Sequence, residues 1–230
     1  KIERKNEPMK IVDVCAFYSP MGGGVKTYVR QKLAIGPTLG HEIVIIVPGG
    51  GHGVEHFGRD ARIVTIPGKK FPLDGRYHYF DDAREVHAAL TREQPDYVEA
   101  SSPWNSASIV ADWPGSAPRA LIMHADPLSA YAYRWFGKIF ARATIDRQFD
   151  WFWRHLRRLD SRYDHVICAG DSLADRLIDG GLKRVRTVPM GIERDVFSPA
   201  LRSEKLRRAM LERCALGPDA TLLIAVGRHA

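Results

Sequence analysis

Apolar residues along the chain fall into two rhythms. Unbroken apolar runs read as strands at Lys10–Ala16, Glu42–Pro48, Arg62–Ile66, Tyr97–Ala100, Ala120–Met123, His165–Cys168 and Val185–Val188. Between them the spacing becomes helical. Val25, Tyr28, Val29 and Leu33 mark a first helix, closed by Gly40-His41. A second runs from about Asp81 to Thr91, with apolar Val86 and Leu90, and a third from Ser106 to Asp112. Two aromatic-rich helical stretches follow, roughly Leu128–Ala143 and Arg147–Leu159. Ser172 and Asp175 have capping-box spacing for the next helix, which Gly180-Gly181 ends. Continuously apolar strands alternating with helices imply a parallel sheet covered on both faces, because each crossover packs a helix back onto the sheet. The expected class is α/β, a doubly wound, Rossmann-like parallel sheet. Ligands of such sheets bind beyond the carboxyl ends of the strands, so the loops after Ala16, Val47, Ala100 and Met123 are the informative ones.

The pattern breaks at Pro189–Pro199, a proline-bounded connector. A helix with Leu206, Met210 and Leu211 follows, then a Gly217-Pro218 stop and a strand-like run, Thr221–Val226, that delivers Gly227-Arg228. A lone strand is an odd end for a domain. The expected organisation is residues 1–190 as one Rossmann-like domain and 191–230 as a connector plus the start of a second, truncated one.

Composition narrows the class. Of 230 residues 45% are apolar and 27% charged, an ordinary globular mixture. No apolar run approaches the roughly 18 residues needed to span a bilayer, and residues 1–10 are too charged for a secretory signal. Cys15 and Cys168 sit in apolar runs and read as buried thiols; with Cys214 they suit a reducing cytoplasm. The 34 basic against 27 acidic side chains leave +7, which favours an anionic partner.

Three segments carry candidate chemistry. Pro20-Met-Gly-Gly-Gly-Val25 lies between first strand and first helix, where glycines allow close backbone approach and helix amides favour a phosphate or a sugar hydroxyl; it also reads as a conformational turn. It matches neither the dinucleotide fingerprint nor a Walker loop, since the sixth position from Gly22 is Thr27 and Val25 separates Gly24 from Lys26-Thr27. His124 follows an apolar strand, which places an imidazole at the carboxyl end of the sheet, either as a structural residue or in a site. His52-Gly-Val-Glu-His56 has an inverted zinc-protease spacing, but the flanking glycines oppose the helix that mechanism requires. Residues 131–163 are dense in aromatics and arginines, and Phe149, Phe152, Trp153, Leu156 and Leu159 form one apolar stripe. Such a stripe packs on its own sheet or lies on an anionic membrane. No nucleic-acid-binding motif is present.

In order along the chain, Gly22-Gly-Gly-Val25 with Tyr28 and Leu33-Ala34, Leu39-Gly-His-Glu-Ile-Val44, Met123-His-Ala-Asp126, Ser172 with Leu177 and Gly181, Val188-Pro-Met-Gly-Ile192 with Phe197-Ser-Pro199, and Val226-Gly-Arg228 resemble the retaining, nucleotide-sugar-dependent glycosyltransferases of GT-B fold, family 4 or group 1 type. The resemblance implies the N-terminal, acceptor-side half of two facing Rossmann-like domains. It implies Gly22, Gly23 and Gly24 against the donor phosphates and sugar, His124 as the histidine beside the transferred sugar, and Arg228 on the donor diphosphate. Tyr18, Tyr28, Ser102, Trp104 and Asp126 are the candidate acceptor-side residues. It further implies a nucleotide-diphosphate sugar as donor substrate, a sugar or lipid-linked acceptor, no cofactor and no metal, and a cytoplasmic protein that can sit peripherally on the membrane through residues 131–163. The rest of the donor site would lie beyond Ala230, so this chain alone is expected to be incomplete for turnover. The competing readings are a non-catalytic domain bound to an anionic membrane, or another nucleotide-sugar-binding α/β enzyme.

Overall fold

The computed structural model describes residues 7–19, 23–72, 75, 77–126, 128, 139, 141–191 and 196–224. The chain divides into two compact units, Lys1–Pro189 and Met190–Ala230.

The first unit is built on an eight-stranded sheet ordered β10-β9-β8-β7-β1-β2-β4-β3. Its strands are β1 (Lys10–Val14), β2 (Glu42–Gly49), β3 (Gly53–His56), β4 (Ala61–Pro67), β7 (Tyr97–Ala100), β8 (Arg119–Met123), β9 (His165–Cys168) and β10 (Val185–Thr187). A small antiparallel pair, β5 (Lys69–Lys70) and β6 (His78–Tyr79), forms a separate sheet packed against the end of β2. All neighbours in the large sheet are parallel except β3, which pairs antiparallel with β4. From β1 the chain moves outward to β2 and β4, then returns past β1 to β7 and proceeds the other way. Right-handed crossovers therefore place α1 (Gly24–Ile35) on one face and α3 (Asn105–Asp112) on the other. The connections diverge between β1 and β7, and the carboxyl ends of the strands at such a divergence are where ligands of open α/β sheets bind.

Alternation along β1 sorts the core. Val12 and Val14 face a cluster completed by Val86 and Leu90 of α2 (Ala83–Glu93), by α3 and by Phe152, Trp153, Leu156 and Leu159. Cys15, Ile43, Ile45 and Val47 face Val29 and Leu33 of α1. Burying β-branched side chains on both faces is what commits these runs to a central parallel sheet. Helix α2 starts at Ala83 because the Asp82 carboxylate accepts the Arg84 N–H at 2.9 Å, two residues later than the sequence pattern indicates.

The aromatic segment resolves into α4 (Arg142–Gln148) and α5 (Asp150–Asp160), separated at Phe149. In α5 the apolar stripe is buried against the protein's own sheet, with Leu156 fully enclosed, which corrects the membrane-facing alternative for that stripe. Tyr131, Tyr133, Trp135, Phe136 and Phe140 lie outside the described residues. Helix α6 (Asp171–Asp179) has Gly170 at its N-cap and no side-chain cap, so Ser172 lies inside the first turn rather than capping it.

In the second unit, α7 (Glu204–Arg213) is capped by Ser203, whose hydroxyl accepts the Leu206 N–H at 3.2 Å. Arg207 donates to the carbonyls of Pro218 and Ala220, folding the following segment back onto the helix. Residues 221–224 form no strand, contrary to the expectation for Thr221–Val226; a strand there needs a neighbour, and no sheet is present among the described residues of this unit.

Candidate active site

At the β1/β7 divergence, parallel register sets Asp13 directly beside Glu99. Both carboxylates point to the α1 side of the sheet, where like charges at strand spacing repel. Lys32 of α1 resolves the conflict. Its Nζ lies 3.0 Å from Asp13 Oδ2 and also bonds Glu99 Oε2. The Ser101 hydroxyl donates to the same Asp13 oxygen at 3.0 Å, and the Tyr28 hydroxyl donates to Glu99 at 3.3 Å. Asp13 is fully buried, and its Oδ1 has no hydrogen-bond partner among the described residues. Burial opposes the charge on Lys32, yet Asp13 and Glu99 outweigh it and raise its pKa well above the usual lysine value. Burial likewise pushes the Tyr28 phenol well up, so Tyr28 is a neutral hydrogen-bond donor.

Tyr28 is one turn before Lys32 on α1, so both project over the same strands. The Lys32 ammonium stands 5.5 Å from the Tyr28 ring centre, and the ring also packs on His124, edge to face, with centres 4.8 Å apart and planes at 74°. His124 follows β8 immediately. Its Nε2 is buried and has no hydrogen-bond partner among the described residues. Burial lowers the His124 pKa; Asp13 opposes this and Lys32 reinforces it, so the imidazole is held neutral at pH 7.

One turn towards the start of α1 from Tyr28, about 6 Å along the axis, lies Gly24. Helix α1 has no side-chain N-cap and no acidic residue in its first turn. A Cβ on Gly24 would meet no atom within 4 Å, so packing does not require glycine there. Gly23 occupies the N-cap position. Gly22 and Arg228 lie outside the described residues.

The other expected site residues separate. Tyr18 is half-buried against the α1-side core, where burial raises its phenol pKa, nearby Glu55 adds to this and Arg30 opposes it. Ser102 is buried, and its hydroxyl accepts the Trp104 N–H at 3.4 Å, closing a local turn. The Trp104 ring packs on Phe152 of α5 at 5.0 Å between centres. Ser102 is thus enclosed, and Trp104 packs on the opposite core while staying partly exposed. Asp126 is engaged by the Leu128 N–H at 2.9 Å and by Arg176 Nε at 2.7 Å, which ties the start of the loop after β8 to α6. His52 and His56 bracket extended β3 instead of sharing a helical turn. Among the described residues, no group of three or more His, Cys, Asp or Glu side chains is arranged to hold a metal ion. No helix described is long and apolar enough to cross a membrane.

Asp13, Lys32 and Glu99 escaped the sequence reading. The available signal was a single acid inside each of two otherwise strand-like runs, together with a lysine four residues after Tyr28.

The sequence profile of glycosyltransferase family 4 matches residues 22–196. The chain belongs to this family. It is 26% identical over 221 residues to a GDP-mannose-dependent alpha-(1-6)-phosphatidylinositol dimannoside mannosyltransferase of Mycobacterium tuberculosis, covering 96% of this chain and 54% of that protein. A GDP-mannose-dependent alpha-mannosyltransferase of Corynebacterium glutamicum is 22% identical over 206 residues, 88% of this chain and 48% of the relative. This family 4 chain therefore spans about half the length of the curated relatives it matches. Among solved structures, sucrose-phosphate synthase from Thermosynechococcus elongatus superposes with a TM-score of 0.58 at 15% identity, over 90% of this chain and 52% of that one. The catalytic domain of starch synthase IV from Arabidopsis thaliana gives 0.50 at 15% identity, over 94% and 61%. These structures share the fold, the Rossmann-like half of a GT-B architecture.

Proposed function

We propose that this chain is the acceptor-side domain of a retaining glycosyltransferase that uses a nucleotide-diphosphate sugar. The observation that carries the reading is His124, a neutral imidazole with an unpartnered buried nitrogen at the carboxyl end of β8, in a family 4 chain. In the proposed reaction, His124 hydrogen-bonds the transferred sugar beside its anomeric carbon. As the glycosidic C–O bond to the diphosphate breaks, negative charge grows on the leaving oxygens. The uncapped amides at Gly23 and Gly24 stabilise that charge, and donors fixed in advance stabilise it selectively in the transition state. The acceptor hydroxyl attacks the same face and gives its proton to the departing phosphate, so configuration is retained without an enzymic nucleophile or a metal.

The relatives are named as GDP-mannose-dependent, which favours GDP-mannose as donor. One relative is named for a phosphatidylinositol mannoside, which favours a lipid-linked acceptor met at the cytoplasmic membrane surface. Trp151, half exposed, shares a face of α5 with exposed Arg154 and Arg158, a surface suited to such headgroups. The test is to incubate the gene product with GDP-mannose, UDP-glucose or ADP-glucose and a lipid-linked mannoside, and to read the new anomeric proton by NMR. An α-linked product from GDP-mannose is expected. A β-linked product would overturn retention, and failure of all three donors would overturn the assignment.

A further inference from the structure

His124 is a loop residue with two side-chain torsions, and its buried Nε2 has no hydrogen-bond partner among the described residues, yet the reaction proposed above needs that ring in one orientation. The aromatic contact that fixes it is Tyr28. Tyr28 in turn is held from three directions. Helix α1 fixes its backbone, Glu99 accepts a hydrogen bond from its hydroxyl, and the Lys32 ammonium lies over its ring. Lys32 is itself anchored by Asp13 and Glu99 on the two central strands, and Asp13 also receives the Ser101 hydroxyl. The central strands of the sheet are thereby connected, through one lysine and one tyrosine, to a side chain on a loop.

We infer that Tyr28 is a positioning residue for His124, and that its ring, locked by the Asp13–Lys32–Glu99 cluster, sets the imidazole in place for sugar transfer. This rests on the reading of His124 given above and replaces the acceptor-side role expected for Tyr28. The hydroxyl of Tyr28 is directed at Glu99 and so is spent within the protein, and what the ring offers to its other neighbour is a flat surface. A ring held in this way excludes water from the imidazole on one side. The charges that act on that imidazole are Asp13 from β1 and Lys32 from α1; Tyr28 packs on it, and Asp126, two residues on in its own loop, is paired with Arg176.

Two readouts test the inference. The His124 titration midpoint is followed by proton–nitrogen NMR in the 230-residue chain, and kcat and KM are measured in the gene product, for Tyr28→Ala and Tyr28→Phe. Tyr28→Leu replaces the alanine variant if that does not fold, because leucine fills the space without a planar ring. With the ring removed, the midpoint should rise towards the ordinary histidine value and kcat should fall at least about tenfold, with donor KM within about threefold. Tyr28→Phe should keep the wild-type midpoint and recover kcat to within about fivefold of wild type. An unmoved midpoint in the ring-less variant, or a phenylalanine variant as impaired as the alanine one, would overturn the inference. The NMR readout needs no turnover, so it decides the positioning role even if sugar transfer itself is not found.

Discussion

Asp13 and Glu99 are register partners on adjacent parallel strands, and the ammonium of Lys32 reaches both carboxylates. Two acids side by side in a buried sheet are tolerated only because a cation from the covering helix neutralises them. Removing the cation leaves uncompensated charge in a place where it is hard to solvate.

Lys32→Met should therefore destabilise the chain by about 3–5 kcal/mol, the usual penalty for breaking a buried ion cluster from one side. Urea unfolding followed by circular dichroism measures this. Adding Asp13→Asn and Glu99→Gln to Lys32→Met should restore part of the loss, since the cost lies in the unpaired charges. A single variant as stable as wild type would show that the cluster contributes nothing to the fold.

The same groups set an alkaline limit. Lys32 has a raised pKa because Asp13 and Glu99 overcome its burial, and Tyr28 and Tyr163 have raised pKa values because burial disfavours their ionised forms. In each case the folded state keeps a proton that the unfolded chain releases, so stability is complete below the ordinary values of 10.0 and 10.5 and falls as pH rises above them. His124 acts at the other end. Its pKa is lowered, chiefly by burial, so the unfolded chain takes up a proton first and stability declines as pH falls below 6.5. Thermal melts across pH should fall off on both sides, and His124→Gln should flatten the onset of the acid limb.

Gly24 separates a ligand role from a conformational one. A Cβ there meets nothing within 4 Å and alanine is the better helix former, so Gly24→Ala should leave stability unchanged or raise it by up to about 1 kcal/mol. If donor phosphates approach the start of α1, the same change should raise donor KM or lower kcat. Lost stability with unchanged kinetics would mean that the glycine serves only the turn.

Trp104 is expected to behave as a core residue. Its ring packs on Phe152, so Trp104→Ala should cost roughly 2–4 kcal/mol in urea unfolding, in the range of aromatic truncations in cores. A loss under about 0.5 kcal/mol, accompanied by a raised acceptor KM, would return Trp104 to the acceptor site.

Seen against these residues, the sequence was legible where a single period rules. The continuous runs of β2 and β8 and the stripe of α5 each announce their element, because burial on a sheet or on one helix face leaves a repeat in the text. The family motifs, spread in order along the chain, carried the functional class. Partnerships across the fold were not legible. Nothing in the local sequence says that Lys32 lies between Asp13 and Glu99, which are 19 and 67 residues away from it along the chain and come together only when β1 and β7 pair in parallel. Trp104 reads as a loop aromatic beside a site, and only the docking of α5 turns it inward. Ser172 has cap spacing, but Gly170 and Asp171 begin the helix earlier.

The most direct measurement is mannose transfer from GDP-mannose by the gene product, compared between wild type and His124→Ala under saturating donor. The expected result is a kcat at least about tenfold lower, a loss of 1.4 kcal/mol or more of transition-state stabilisation, with the circular dichroism spectrum unchanged. A variant that turns over at the wild-type rate would contradict the placement of His124 at the reacting carbon, and with it the account of this site.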